Sequence, residues 1–315
     1  MPAISKLEST LESSLESSMV SRSAQRSRAA SSPAFMDASW IRRWWFLLLA
    51  LVVMWAPVMA GLLDDWNRNP NYSHGFLIPF AVGYFLWIKR ESLRASVQAP
   101  ATAGLVLMGV ALAVYLVGLL GAEFFMQRCS MLLFIAGMIA FFWGWRCLRA
   151  TSFEFGLAFL AIPLPAIVFN AIAFPLQLIA SAWAAGLLRL VGIPVFQQGN
   201  ILQLPQQVLN VAEACSGIRS LISLITLALM VAWFLPVRRW VQAGLVAAAI
   251  PVALIANALR IALTGILGKY LGPEYSEGFF HLFSGWLIFL VAFAMLLGLA
   301  SMLTRVRGFR RGASA

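Results

Sequence analysis

Long apolar runs separated by short polar segments dominate the chain from residue 44 to residue 303. Runs of about 18 or more apolar residues form spanning helices, because lipid offers backbone N–H and C=O groups no partner except one another. The pattern predicts eight spans, at 44–63, 74–88, 103–121, 128–145, 166–190, 217–235, 241–267 and 281–303. The run "VFQQGNILQLPQQVLNV", ending at Val211, instead alternates apolar and polar positions and predicts an extracytoplasmic β-hairpin. The expected fold is an all-α polytopic membrane protein of about eight transmembrane helices with a short β-hairpin outside the membrane.

The first 40 residues break the pattern. "LESTLESSLESS" gives way to a Ser/Arg/Ala tract, expected to be a disordered cytoplasmic extension. Residues 41–305 then form the membrane domain and 306–315 a basic cytoplasmic tail. "IRRWW" ahead of the first span reads as an uncleaved signal anchor, with a twin-arginine export signal as the alternative.

Composition agrees with a membrane protein: 61% of the 315 residues are hydrophobic and 11% charged. The net charge of +11 is distributed in a way that orients the chain. With the N-terminus in the cytoplasm, segments 1–43, 89–101, 146–154, 236–240 and 304–315 carry +2, +2, +1, +2 and +4. The intervening segments 64–73, 122–127, 191–216 and 268–280 each carry −1, as the excess of Lys and Arg on the cytoplasmic side requires. The same alternation demands an odd number of crossings between Arg149 and Cys215, so 153–165, broken at "IPLP", is expected to be an interfacial or re-entrant piece leading into one span. No basic stripe with interleaved aromatics points to nucleic acid.

Four arginines lie within or at the ends of spans. Arg128 and Arg189, near span ends, are expected to snorkel to the outer interface. Arg260 lies deep in the seventh span, about 28 Å from its cytoplasmic end and so close to the outer boundary of a hydrocarbon core about 30 Å thick. Asn257, Arg260 and Thr264 fall at i, i+3 and i+7, on one side of the helix. An arginine at that position is costly enough for function to be its first explanation.

The three cysteines, 129, 147 and 215, show no metal-ligand spacing, and neither a structural disulfide nor a zinc site is expected. Cys129 and Cys147 read as small packing residues. Cys215 stands two residues outside the sixth span, and His281 opens the eighth from the same side, so three helices bring a thiol, an imidazole and a guanidinium to one depth. A thiol attacks as thiolate, and a helix N-terminus, an imidazolium and a guanidinium each lower its pKa. In this arrangement His281 would protonate a leaving amine, and Arg260 would steady an oxyanion with the N–H groups of Ser216 and Gly217.

The segments "EACSGIRSL", "NALRI" and "HLFSGW", with "YSHGFLIP", "IPLPAIVFN" and "VGIPVFQQGNILQLP", resemble the exosortases, bacterial membrane cysteine transpeptidases related to the archaeosortases. The resemblance covers about residues 40–305, and the extension lies outside it. It implies a catalytic Cys215, Arg260 and His281, without a cofactor, in the bacterial inner membrane with both termini cytoplasmic and the site facing the periplasm. It implies as partners exported proteins ending in a Pro-Glu-Pro-type motif, a transmembrane helix and a basic tail. These would be cut through a thioester and passed to an acceptor, in connection with exopolysaccharide.

Further residues are expected on the substrate side: Arg219, His74, Asn257 and Glu213. His74 also opens a span from the outside and is the rival base to His281. Arg219, one turn from Cys215, pairs either with Glu213 or with a glutamate of the substrate, and the two remain open. Glu213 left unpaired would raise the thiol pKa, against the role of Cys215. Two other classes use many spans and buried arginines: transporters, whose sites lie at mid-depth between repeats, and exopolysaccharide polymerases or ligases, which need no thiol. No internal repeat is visible here.

Overall fold

A computed structural model describes residues 38–211, 218–272 and 278–306. The extension up to residue 37 and the tail from 307 lie outside the described residues.

Each expected span falls on helical residues, although 74–88 is divided between a 3-10 helix and an α-helix of 11 residues, too short to cross a membrane alone. α1 (Ala38–Arg68) is followed by a 3-10 helix (Pro70–Phe76) and then α2 (Ile78–Ile88) and the short α3 (Arg90–Ser96). α4 (Ala103–Leu120), α5 (Phe124–Ala150), α6 (Ser152–Phe159) and α7 (Ala166–Leu190) lead into three strands, β1 (Phe196–Gln198), β2 (Ile201–Gln203) and β3 (Val208–Asn210). α8 (Ile218–Phe234), α9 (Arg239–Tyr270) and α10 (Gly278–Arg305) complete the chain. Among the described residues five helices are long and apolar enough to cross a membrane: α4, α5, α7, α9 and α10 from Phe283; α8 is apolar but shorter.

The bundle has two ends, each marked by an ion pair. At one, Lys89 Nζ meets Glu154 Oε1 at 2.9 Å and donates to the Ala150 carbonyl at 3.2 Å, beneath the rings of Phe153 and Trp233. At the other, Arg128 Nη2 meets Asp65 Oδ2 at 2.6 Å. Arg128 is only 5% exposed, so it does not snorkel as the sequence suggested. A carboxylate near the end of α1 and the ring of Phe124 satisfy it inside the protein.

The expected piece at 153–165 is a short helix, α6, and a turn that leads into α7; α6 starts beside Lys89 and runs back along α2 to the Arg128 end. There Leu160 C=O faces His74 Nε2 at 3.3 Å and Leu164 N–H donates to Tyr72 Oη at 3.1 Å. Phe153, Leu157 and Ala161 bury one side of the segment against Tyr72, Ile78 and Phe85, which gives so short a helix its hold.

α8, α9 and α10 pack through small residues, Ala228 and Ala232 against Ala249, Ala253 and Ala256, and Ala292 and Ala300 from α10. Such residues let helix axes approach where lipid supplies no hydrophobic drive. The expected hairpin is present and carries a third strand: the sheet is antiparallel in the order β1-β2-β3, with Phe196 opposite Gln203 and Ile201 opposite Asn210. The turn between β2 and β3 closes through Leu204 N–H to Gln207 C=O at 2.9 Å. Leu202, Leu204 and Leu209 pack on Ala184, Leu188 and Ile261, which holds the sheet against the last turns of α7 and α9.

Candidate functional site

The polar face expected on α9 exists. Asn257 and Thr264 are buried, Arg260 is half-buried between them, and Thr264 Oγ1 donates to the Arg260 carbonyl at 3.0 Å. α9 can carry these groups because the rest of that side is alanine, glycine and isoleucine packed on α7, α8 and α10.

The Arg260 side chain lies against Gly285 of α10. A Cβ at 285 would come within 3.0 Å of Cζ, 3.1 Å of Nη2 and 3.3 Å of Nε. Gly285 is therefore a site residue that reading for charge and nucleophiles missed. The available signal was a glycine inside an apolar helix, which commonly marks close packing. Ser220, Asn257, Arg260, Gly285 and Ile288 line a narrow cleft of about 10 Å³, room for about one water molecule.

Three helices thus meet at Arg260, and two of them begin there. Ser220 is in the first turn of α8, and Gly285 lies seven residues after the first residue of α10. His281 is in α10 one helical turn before Gly285 and so on the same helix face; its side chain lies outside the described residues. Cys215 and Glu213, with Ser216 and Gly217, also lie outside the described residues. Arg219, next to Ser220, is exposed and close enough to Arg260 for the two positive charges to repel.

His74 is placed differently. It sits half-buried in the 3-10 helix, with Nε2 toward Leu160 C=O and its ring 6.3 Å from that of Tyr72, and it does not line the Arg260 cleft. The 3-10 helix does pack on α8, the helix that also carries Ser220.

The sheet covers α9 beyond Arg260. Gln207 Nε2 donates toward the carbonyls of Thr264 and Gly265, each at 3.5 Å. β1 is an edge strand with Phe196 and Gln198 exposed, so an extended peptide has backbone to pair with near this end of α9.

Electrostatically, the N-termini of α8 and α10 and two guanidinium groups give this end of the bundle a positive field. A half-buried guanidinium stabilises developing negative charge more strongly than it would in water. Of the thiols within the described residues, Cys129 is half-buried and Cys147 buried, both in α5, and neither lines the Arg260 cleft.

A family model described as transmembrane exosortase matches residues 66–298. No curated protein and no solved structure matches the chain. The matched region runs from the end of α1 into α10 and contains Arg260, Gly285 and the positions of Cys215 and His281. The chain belongs to the transmembrane exosortase family.

Proposed function

We propose that the protein is a membrane-embedded cysteine peptidase and transpeptidase that cleaves C-terminal sorting signals of the Pro-Glu-Pro type from exported proteins. It would act in the bacterial inner membrane with its site toward the periplasm, in the sorting of surface proteins linked to exopolysaccharide. The observation that carries this reading is the half-buried Arg260, seated against Gly285 one turn from His281 and beside Ser220, five residues after Cys215.

The Cys215 thiolate attacks the scissile carbonyl, and the carbonyl π electrons move to oxygen, where Arg260 and N–H groups at the start of α8 meet the oxyanion. Collapse expels the downstream amine, which takes its proton from the imidazolium of His281 and leaves a thioester. An acceptor amine, or water, loses a proton to His281 as it attacks the thioester, and the thiolate departs. Arg219 and Asn257 hold the substrate motif, with a glutamate side chain drawn toward Arg219. His74 and Glu213 contribute to the same substrate side. The substrate's own helix, anchored in the same bilayer, delivers the bond to this depth.

The test is co-expression with a tailed candidate substrate and mass determination of its C-terminus. Wild-type protein should yield a product shortened at the motif. Cys215→Ser, at equal membrane abundance, should yield none. Processing that survives in Cys215→Ser would sink the thiol mechanism, and no processing by the wild-type protein would favour a transporter or a glycan polymerase or ligase.

A further inference from the structure

Two cavities of equal size, about 310 Å³ each, are lined by neighbouring residues of α1, α5 and the connection between α6 and α7. Asp65 lines one and Trp66 the other; Pro163 lines one and Ile162 the other; Arg128 lines one and Met131, a turn further along α5, lines the other. They therefore follow one another along the same three segments.

Their chemistry is opposite. The cavity at the bundle end is walled by Asp65, Asn69, Tyr72, Glu123, Arg128 and Asn170. The cavity beneath it is apolar almost throughout and runs along α2 from Ile78 to Leu86 and along α5 from Met131 to Ile139. Each stretch is nine residues, about 12 Å from first to last, close to the depth of one leaflet of a hydrocarbon core about 30 Å thick.

The polar cavity has fixed charges of both signs. Arg128 is buried and held by Asp65, whose side chain remains 43% exposed. Glu123 Oε2 accepts from the N–H groups of Phe125 and Met126 at 2.9 and 3.4 Å, which fixes its carboxylate at the start of α5. Tyr72 Oη accepts from Leu164 N–H and retains its own proton to donate. Burial pushes the Tyr72 phenol above its ordinary range, opposed by that bond and reinforced by Asp65, so the proton stays in place at neutral pH.

The geometry points to a site for one zwitterionic phospholipid, with its phosphate at Arg128 and Tyr72, its ammonium at Asp65 and Glu123, and an acyl chain in the apolar cavity. A purely anionic head group would meet two carboxylates beside one guanidinium. A head group carrying both charges matches both sets. The lipid would fill the space between α1, α2, α5 and α6 and so support the wall on which the 3-10 helix and His74 rest. The inference does not depend on the peptidase reading.

The test is native mass spectrometry of the full chain, delipidated in detergent and titrated with dioleoyl phosphatidylethanolamine or dioleoyl phosphatidylglycerol. One phosphatidylethanolamine should be retained per chain, with the glycerol lipid bound about tenfold more weakly, a difference that only the head group makes. Ala158→Trp, which fills the apolar cavity, and Glu123→Gln, which keeps the helix cap but removes the charge, should each weaken retention by about tenfold. Met131→Trp fills the same cavity from α5 and replaces Ala158→Trp should the latter not elute as a single species. Equal retention of the two lipids, no retention of either, or undiminished retention in the tryptophan variant would overturn the assignment.

Discussion

Gly285 and Arg260 occupy complementary space: the guanidinium lies where a side chain at 285 would be, within 3.0 Å of the position its Cβ would take. The arginine is thereby held from α10 rather than only by its own helix. Misplacement of a reacting or stabilising group by about 1 Å costs on the order of 10²-fold in rate. Gly285→Ala is therefore expected to insert and accumulate normally while processing of a tailed substrate falls by about 10- to 10²-fold, and Gly285→Val is expected to fall further. Rates measured at equal membrane abundance check this. Wild-type rates in both variants would mean that the position of the guanidinium does not matter.

The two histidines separate by labelling. If His281 activates the thiol, His281→Ala should abolish processing and sharply reduce modification of Cys215 by a thiol reagent near neutral pH, since less of the thiol is ionised. His74→Ala should leave labelling largely intact, because the contacts of His74 are with Leu160 and Tyr72 rather than with the Arg260 cleft. The opposite pattern would move the role of base to His74.

How far the sequence disclosed this site depends on the range of each interaction. Asn257, Arg260 and Thr264 were legible as a face because helical periodicity is local and a buried arginine is costly. The sheet was legible from alternation, although β3 depends on a turn at Leu204 to Gln207 that alternation does not encode. Arg128 was misread because its partner, Asp65, lies 63 positions away, and only the packing of α1 on α5 brings them together. The placement of residues 152–165 is likewise set by contacts with Tyr72, His74 and Lys89 on another part of the chain, which the local sequence does not encode. Gly285 carries no charge or reactive atom, so a search for chemistry passed over it.

The Lys89–Glu154 pair ties α2 to α6 with the carboxylate 3% exposed. Removing one partner of a buried pair leaves the other charge without compensation, a loss of about 3–5 kcal/mol. Glu154→Gln should lower stability by that order in a thermal or denaturant melt of the detergent-solubilised protein. Asp64→Asn breaks an exposed pair with Arg68 and should cost about 0–1 kcal/mol. Equal effects of the two substitutions would show that the burial of Glu154 is not what ties α6 in place.

Arg260→Lys tests whether transition-state charge or a diffuse field is required. Lysine preserves the positive charge but not the planar fork of donors, and its ammonium does not fill the space beside Gly285 in the same way. A variant that inserts normally and still binds the substrate helix should lose most of its turnover, on the order of 10²–10³-fold, as when one oxyanion donor is removed. Near-normal cleavage at equal abundance would rule out the role given to Arg260 and leave Arg219 as the next source of positive charge.

The final prediction concerns the side on which all this chemistry takes place. Arg94 and Arg239 lie on segments attached to the Lys89 end, since α3 follows Lys89 and Phe234, shortly before Arg239, packs on Phe85. Asn69 follows Asp65 at the Arg128 end, and the sheet carrying Gln198 packs on the last turns of α7 and α9, beyond Arg260. The lysine and arginine excess falls on the former set, which predicts a cytoplasmic side for it. Reporter fusions after Arg94, Arg239 and Arg311 should therefore report cytoplasm, and fusions near Asn69, Gln198 and Pro273 the far side. A cytoplasmic report from Gln198 would separate Cys215 from any exported substrate and would end the peptidase reading regardless of how well Arg260 is seated.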